Sequence, residues 1–186
     1  MRKNFGVKSL MYPMPVLIVA AYDENGVPNA MNAAWGCVCD YDKVAIVLDK
    51  GHKTTANILA KKAFTVSMAD AAHVVEADYL GVVSGNKVPD KLAKAGLHTE
   101  KSGFVDAPVI CELPMAIECE LISFNEENEM LIGRIVNVCA DESILGEDGL
   151  IDPMKLRPIT FDPSHNGYYV LGEKVGNAFK DGLSLR

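Results

Sequence analysis

Short apolar runs separated by turn residues constrain the fold of this chain more than any other feature. Residues 15–22 (PVLIVAAY) form an uninterrupted apolar run, as a strand buried on both faces does. Residues 23–26 (DENG) follow, and the Asn-Gly pair favours the positive φ angles of a tight hairpin turn. The chain is then expected to return as a strand over residues 30–38, and residues 43–49 (KVAIVLD) predict another strand.

Helical signals interrupt this pattern. A Thr N-cap at position 54 or 55 predicts a helix that ends near Lys61 and Lys62, where the helix dipole favours cations. A strand is expected at residues 64–68. Residues 71–83, 89–95 and 174–181 are predicted to be helical, and Gly96 is expected to stop the second of these helices.

The second half of the chain returns to strands. Ile117, Cys119 and Leu121 alternate with Glu118 and Glu120, which predicts one buried and one wet face. A polar hairpin loop at residues 125–129 precedes a returning strand over residues 130–139, and residues 168–171 form a short late strand. Many strands, few helices and hairpin connections favour a mostly antiparallel barrel in a single domain, residues 1–186.

Charge and hydropathy argue against several functions. Lys and Arg number 18 against 25 Asp and Glu, so the net charge of −7 offers no basic field for nucleic acid or for an anionic membrane. No apolar run approaches the roughly 18 residues of a membrane span, and no signal-peptide pattern is present. Five cysteines without framework spacing are interpreted as reduced core thiols of a cytoplasmic protein. A metal or redox role for Cys37 and Cys39 is the less favoured alternative.

Common chemical motifs are absent. The sequence has no G-x-G-x-x-G, no P-loop and no G-x-S-x-G elbow. The four histidines have no zinc-like spacing to one another or to the cysteines, so no metal site is predicted.

Two segments carry the chemical signal. Residues 29–36 (NAMNAAWG) are densely packed with small residues, which suits a strand whose backbone a flat ring approaches; Trp35 either flanks such a ring or fills the core. Residues 50–55 (KGHKTT) place two lysines and a hydroxyl at a helix start, which favours an anion site. An ordinary capped helix with solvated lysines is the alternative.

These two segments, in this order, resemble the flavin reductase-like family of FMN-binding split barrels. The segments that carry the resemblance are residues 12–16 (YPMPV), 29–36, 50–58, 64–66 (FTV), 84–85, 90–91 and 169–172 (YVLG). Two positions depart from the family pattern: many relatives have Thr where Asn32 stands and Pro-Pro where Tyr41 and Asp42 stand.

The resemblance implies a mostly β, antiparallel Greek-key split barrel with a few peripheral helices, a homodimer, and non-covalently bound FMN. By position, the residues that would line the isoalloxazine are Asn32, Ala33, Ala34 and Trp35. Those that would hold the phosphate are Lys50, His52, Lys53 and Thr54, with Ser84 and Lys91 as further cofactor-binding residues.

The resulting functional prediction is an oxidoreductase. FMN would take electrons from NADH or NADPH and pass them to free flavin, a ferric chelate or a partner protein, the cofactor supplying the chemistry. The alternative is an FMN-holding electron carrier that another protein reduces. A split barrel that binds another ligand, such as haem, is a third possibility.

Overall fold

The computed structural model describes all 186 residues and consists mostly of strands. The strands are β1 (Met14–Pro15), β2 (Leu17–Tyr22), β3 (Pro28–Ala33), β4 (Gly36–Asp40), β5 (Lys43–Val47), β6 (Ala63–Met68), β7 (Thr99–Lys101), β8 (Pro108–Ile110), β9 (Met115–Asn125), β10 (Met130–Ala140), β11 (Ile159–Asp162) and β12 (Gly167–Val170). The helices are α1 (Lys53–Lys61), α2 (Val74–Val82), α3 (Lys91–Lys94) and α4 (Pro153–Leu156), with 3-10 turns at Glu142–Ile144 and Asp181–Leu185.

One antiparallel seven-stranded sheet, in the order β3-β2-β6-β9-β10-β5-β4, forms the body of the molecule. Strands β3 and β4 stand at opposite ends of this order, yet only Ala34 and Trp35 separate them in the chain. Because Ala33 and Gly36 are three residues apart, their Cα atoms are separated by no more than about 11 Å, so the sheet must curl until the end of β3 approaches the start of β4. The predicted antiparallel barrel is therefore confirmed, whereas the single strand expected over residues 30–38 is two strands.

The apolar run of residues 15–22 is buried on both faces, as predicted. Leu17, Val19 and Ala21 of β2 belong to the core inside the barrel, and Ile18 and Ala20 belong to a second core outside it. Each core comprises 12 buried residues. This double burial is why the run contains no polar residue.

The helices close the two cores. Ile58 of α1 is fully buried in the inner core, where a side chain of its size contributes about 1.5–3 kcal/mol to folding. Ala77 and Leu80 of α2 and Leu92 of α3 pack in the outer core against β2 and β3. This packing brings the end of α2 and the start of α3 to the free edge of β3.

Smaller sheets complete the fold. β1 and β12 flank β11 in a three-stranded sheet, and β7 pairs with β8. None of the helices is both long and apolar enough to span a membrane.

Several local predictions are corrected by the structure. The helices expected over residues 71–83 and 89–95 are shorter, as α2 and α3. The helix expected over residues 174–181 does not form, and the only helical segment in this part of the chain is the 3-10 turn Asp181–Leu185. Glu118, expected on a wet face, is buried because Ser102 and Asn137 donate hydrogen bonds to its carboxylate.

The prediction of core thiols is wrong for most cysteines. Cys37 and Cys39 are exposed because β4 is an edge strand with little packed over it, and Cys111 is exposed at the end of β8. Cys139 is partly exposed, and only Cys119 is buried. All five are free thiols.

Candidate functional site

Three adjoining cavities follow the free edge of β3. Strand β3 pairs with β2 on one side only, so backbone groups on its other side have no strand partner. The central cavity, with Thr54, Ser84 and Lys91 in its wall, has a volume of about 270 Å³. The Trp35 cavity is lined by residues 31–35 of β3 and the turn after it, among others, and has about 330 Å³. The Asp23 cavity is lined by Asp23, Pro89 and neighbouring residues and has about 320 Å³. The Trp35 cavity shares Met31, Asn32 and His52 with the central cavity. The Asp23 cavity shares Asn29, Lys53 and Gly85 with it.

The first turn of α1 borders the central cavity and has unsatisfied donors. The N-cap is His52, so the helix begins earlier than expected from an N-cap at Thr54 or Thr55. The side chain of His52 makes no capping hydrogen bond. The backbone N–H groups of Lys53, Thr54 and Thr55 find no acceptor within the protein. Three free N–H groups at the positive end of a helix dipole form a suitable site for an anion.

The threonine hydroxyls of this turn are committed elsewhere. Thr54 Oγ1 donates to Asn29 Oδ1 at 2.9 Å, and Thr55 Oγ1 donates to the Asp49 carbonyl at 2.9 Å. Thr54 and Asn29 are both buried, so their bond fixes α1 against β3. Neither the threonine hydroxyls nor the His52 side chain accepts a hydrogen bond from the first turn. The backbone N–H groups of Lys53, Thr54 and Thr55 therefore stay free.

Gly85 brings the loop after α2 close to this bond. A Cβ at Gly85 would lie 2.4 Å from Asn29 Nδ2 and 2.8 Å from Asn29 Oδ1. No side chain fits at this distance, so the loop can approach β3 only with glycine at this position. The same loop carries Ser84 into the wall of the central cavity.

Two lysines supply positive charge to the central cavity. Lys53 Nζ lies 3.6 Å from Asp23 Oδ2, and the pKa of Asp23 is lowered, first by a hydrogen bond from the Val27 N–H. Lys91 is only 2% exposed, and its Nζ donates to the carbonyls of Leu80 at 3.1 Å and Val83 at 2.9 Å.

No carboxylate pairs with Lys91. Burial lowers its pKa to about 8, so the ammonium is costly without a counter-ion. An anionic ligand in the central cavity would provide that counter-ion.

The Trp35 cavity is more apolar and more open to solvent than the central cavity. Trp35 is 58% exposed, which excludes the interpretation that it fills the core. Asn32 Nδ2 donates to the Ala77 carbonyl at 3.2 Å, which leaves its side-chain oxygen available. Asp49 and Glu129 add carboxylates to the wall of this cavity.

The structure brings together nine of the ten residues expected to bind a cofactor. Those that line the central or Trp35 cavity are Asn32, Ala33, Ala34, Trp35, His52, Lys53, Thr54, Ser84 and Lys91. Lys50 is the exception, since it is exposed, lines neither cavity, and its backbone N–H donates to Glu129 Oε1 at 3.1 Å.

Sequence reasoning missed two residues that shape the site, Asn29 and Gly85. Asn29 is a polar residue within a run of small residues, and this was the available signal. Gly85 stands in residues 84–85, a segment that carries the family resemblance, but its close contact is with a residue more than 50 positions away, so its role could not be read from the local sequence.

Comparisons with known proteins agree with this architecture. The family model described as "Flavin reductase like domain" matches residues 9–161. The solved structure of flavoredoxin from Desulfovibrio vulgaris (Miyazaki F) is 41% identical, covers 98% of this chain and 100% of its own, and has a TM-score of 0.94. Flavoredoxin from Methanosarcina acetivorans is 26% identical, covers 100% of both chains, and has a TM-score of 0.89.

A curated relative of Aquifex aeolicus, described as an uncharacterized protein, is 26% identical and covers 82% of each chain. The extent of the family match, together with the split barrel and its edge cavities, establishes that this chain belongs to the flavin reductase-like domain family.

Proposed function

We propose that this chain binds FMN along the edge of β3. The isoalloxazine would lie across the Trp35 cavity beside Ala33, Ala34 and Trp35, and the phosphate would meet the first turn of α1 in the central cavity. The observation that carries this proposal is the set of three free N–H groups at Lys53, Thr54 and Thr55.

The residues present fit such a cofactor. A phosphate at α1 would receive charge-assisted hydrogen bonds from the helix N–H groups and Lys53. Lys91 would gain the counter-ion that the protein itself does not provide. Ser84 and His52 line the same cavity and offer further polar contacts. Lys50 lies outside both cavities and is left out of the proposed phosphate anchor.

The proposed activity is that of an oxidoreductase which moves electrons from NADH or NADPH to an acceptor. FMN, when bound, takes two electrons as a hydride and can release them singly, so it supplies the redox chemistry. The chain would hold the ring at the β3 edge, while Trp35 and Asn32 orient it. The Trp35 cavity is open to solvent, which supports an approach of the nicotinamide to a ring held there.

An electron carrier is the second candidate, favoured by the likeness to two flavoredoxins. Anaerobic mixing with NADH or NADPH separates the two functions. If the protein is a reductase, either nucleotide bleaches the flavin absorbance rapidly. If it is a carrier, neither nucleotide bleaches it, and a reduced partner protein does.

The first test is cofactor binding itself. The purified protein should be yellow, or become yellow with added FMN, and equilibrium dialysis should show binding at micromolar protein. Absence of FMN binding, or a haem spectrum in its place, would contradict the proposed function.

We also propose a homodimer in a reducing compartment such as the cytoplasm. Trp35 at the Trp35 cavity and Val38 on the edge strand β4 expose large apolar side chains, as do Val175 and Phe179 in the segment after β12. Such patches are typical of interfaces. The free, exposed thiols of Cys37, Cys39 and Cys111 support a reducing environment.

A further inference from the structure

The interior of the barrel is incompletely filled at one end. A cavity of about 250 Å³, which we name the barrel cavity, has Leu17, Val44, Ile46 and Val66 in its wall. All four residues belong to the core inside the barrel. The barrel cavity shares no residue with the three cavities along the edge of β3, so an inference about it does not rest on the proposed FMN site.

The barrel cavity is deep at one side and open at the other. Ile46 and Val66 are buried, whereas Val38 in the same wall is 63% exposed. Val38 lies on β4, which has no strand partner on its second side, so the barrel is open there. Cavities at the open end of a β-barrel are common positions for small-molecule sites.

The wall of the barrel cavity is almost entirely apolar. It contains no charged side chain, and the thiol of Cys37 is its only polar side-chain group. A buried water needs two to four polar partners, which these side chains do not supply. An ionic ligand would lose its hydration there without gaining a counter-ion. The cavity therefore suits an uncharged apolar molecule.

Two methionines and the size of the cavity narrow the class of ligand. Met68 and Met115 are partly exposed in the wall, and their flexible side chains adjust to the shape of a ligand. A thioether sulfur also makes favourable contacts with aromatic rings. An apolar cavity of about 150 Å³ accommodates benzene, so about 250 Å³ offers room for two fused rings.

We propose that the barrel cavity binds an uncharged aromatic molecule of about the size of naphthalene. The ring system would enter beside Val38, contact Met68 and Met115, and reach the inner core at Leu17 and Val66. A side chain from a second copy is the competing occupant, because Val38 is also one of the residues that suggest a dimer interface.

Equilibrium dialysis of the FMN-loaded protein with naphthalene and with naphthalene-1-sulfonate tests this inference. Naphthalene should bind with a Kd in the micromolar range, and the sulfonate, which adds a charge to the same rings, should bind at least tenfold more weakly. Met115→Lys should weaken naphthalene at least fivefold, because it places an ammonium group in the wall. Met154→Lys is the matched control, since Met154 is exposed on α4 and does not line the barrel cavity.

Trp35→Ala separates the barrel cavity from the flavin face. This variant should keep its affinity for naphthalene, because Trp35 lines the Trp35 cavity and not the barrel cavity. A naphthalene affinity that falls in Trp35→Ala and not in Met115→Lys would place the ring against the flavin, and the inference would be wrong while the FMN site stands. Absence of naphthalene binding, or equal binding of the two probes, would also contradict it.

Xenon-pressurised crystals locate the site without any substitution, since xenon enters dry apolar cavities. Xenon should appear among Leu17, Val44 and Val66 in the unmodified protein. A barrel cavity that holds a side chain of a second copy and no xenon would overturn the inference, and this result does not depend on whether Met115→Lys folds.

Discussion

At the scale of the residue, Lys91 is the most unusual group in the molecule. Its ammonium is buried against two carbonyl oxygens, and its pKa is lowered to about 8 by burial. Below that pH the group is charged and would attract the proposed phosphate; as the pH rises through about 8 it becomes neutral and this attraction would be lost.

We therefore expect FMN affinity to fall severalfold between pH 7 and pH 9, as measured by fluorescence titration. Lys91→Met should bind FMN more weakly at pH 7 and show little change over the same range. Lys94→Met is the control, because Lys94 lies on the same helix but is exposed and pairs with Asp90. An unchanged pH dependence in Lys91→Met would contradict this assignment.

A substitution at Lys53 separates the contribution of the phosphate to FMN affinity from that of the ring. Lys53→Ala should weaken FMN about tenfold, or about 1.4 kcal/mol, and leave riboflavin affinity nearly unchanged because riboflavin has no phosphate. Lys61→Ala is the matched control, since Lys61 ends the same helix and pairs with Asp106. Equal weakening of both ligands would mean that Lys53 acts on the ring or on folding.

At the scale of the element, strand β10 depends on a glycine at a bulge. The register of β10 against β9 shifts between Ile132 and Gly133. A Cβ at Gly133 would lie 2.4 Å from Cζ of the fully buried Phe64. The aromatic ring occupies the space that any side chain at this position would need.

Gly133→Ala should therefore lower the free energy of unfolding by about 1–3 kcal/mol, the usual cost of overpacking a core. Urea unfolding followed by circular dichroism measures this change. Gly103→Ala is the control, because a Cβ there meets nothing within 4 Å. Adding Phe64→Leu should restore part of the loss, whereas a Gly133→Ala variant as stable as the parent would disprove the contact.

At the scale of the whole molecule, the edge strand β4 leaves apolar surface uncovered. Strand β4 has one neighbour, β5, and Val38 on it is exposed. An exposed edge strand is a ready pairing surface unless something covers it. A second copy of the chain is the proposed cover.

Light scattering should consequently give twice the 20.1 kDa mass of the chain. Val38→Asp should shift the protein toward monomer, because it places a charge in the proposed interface, whereas Val75→Asp on the exposed face of α2 should not. A monomeric parent protein that still binds FMN tightly would contradict the dimer.

Local patterns in the sequence determined most of the elements and the cationic start of α1. The run of residues 15–22, the turn at Gly26 and the hairpin loop between β9 and β10 depend on neighbouring residues, so their periodicity and turn chemistry were sufficient. The cluster of cations and hydroxyls at residues 50–55 is local for the same reason.

Only the tertiary structure decided how these parts meet. It divided residues 30–38 between the two ends of the sheet, exposed Cys37 and Cys39, and placed Gly85 and Lys91 beside the first turn of α1. Each of these outcomes depends on closing the barrel and on packing α2 and α3 over the outer core. Such contacts join residues far apart in the chain, and no periodicity within a short window can carry them.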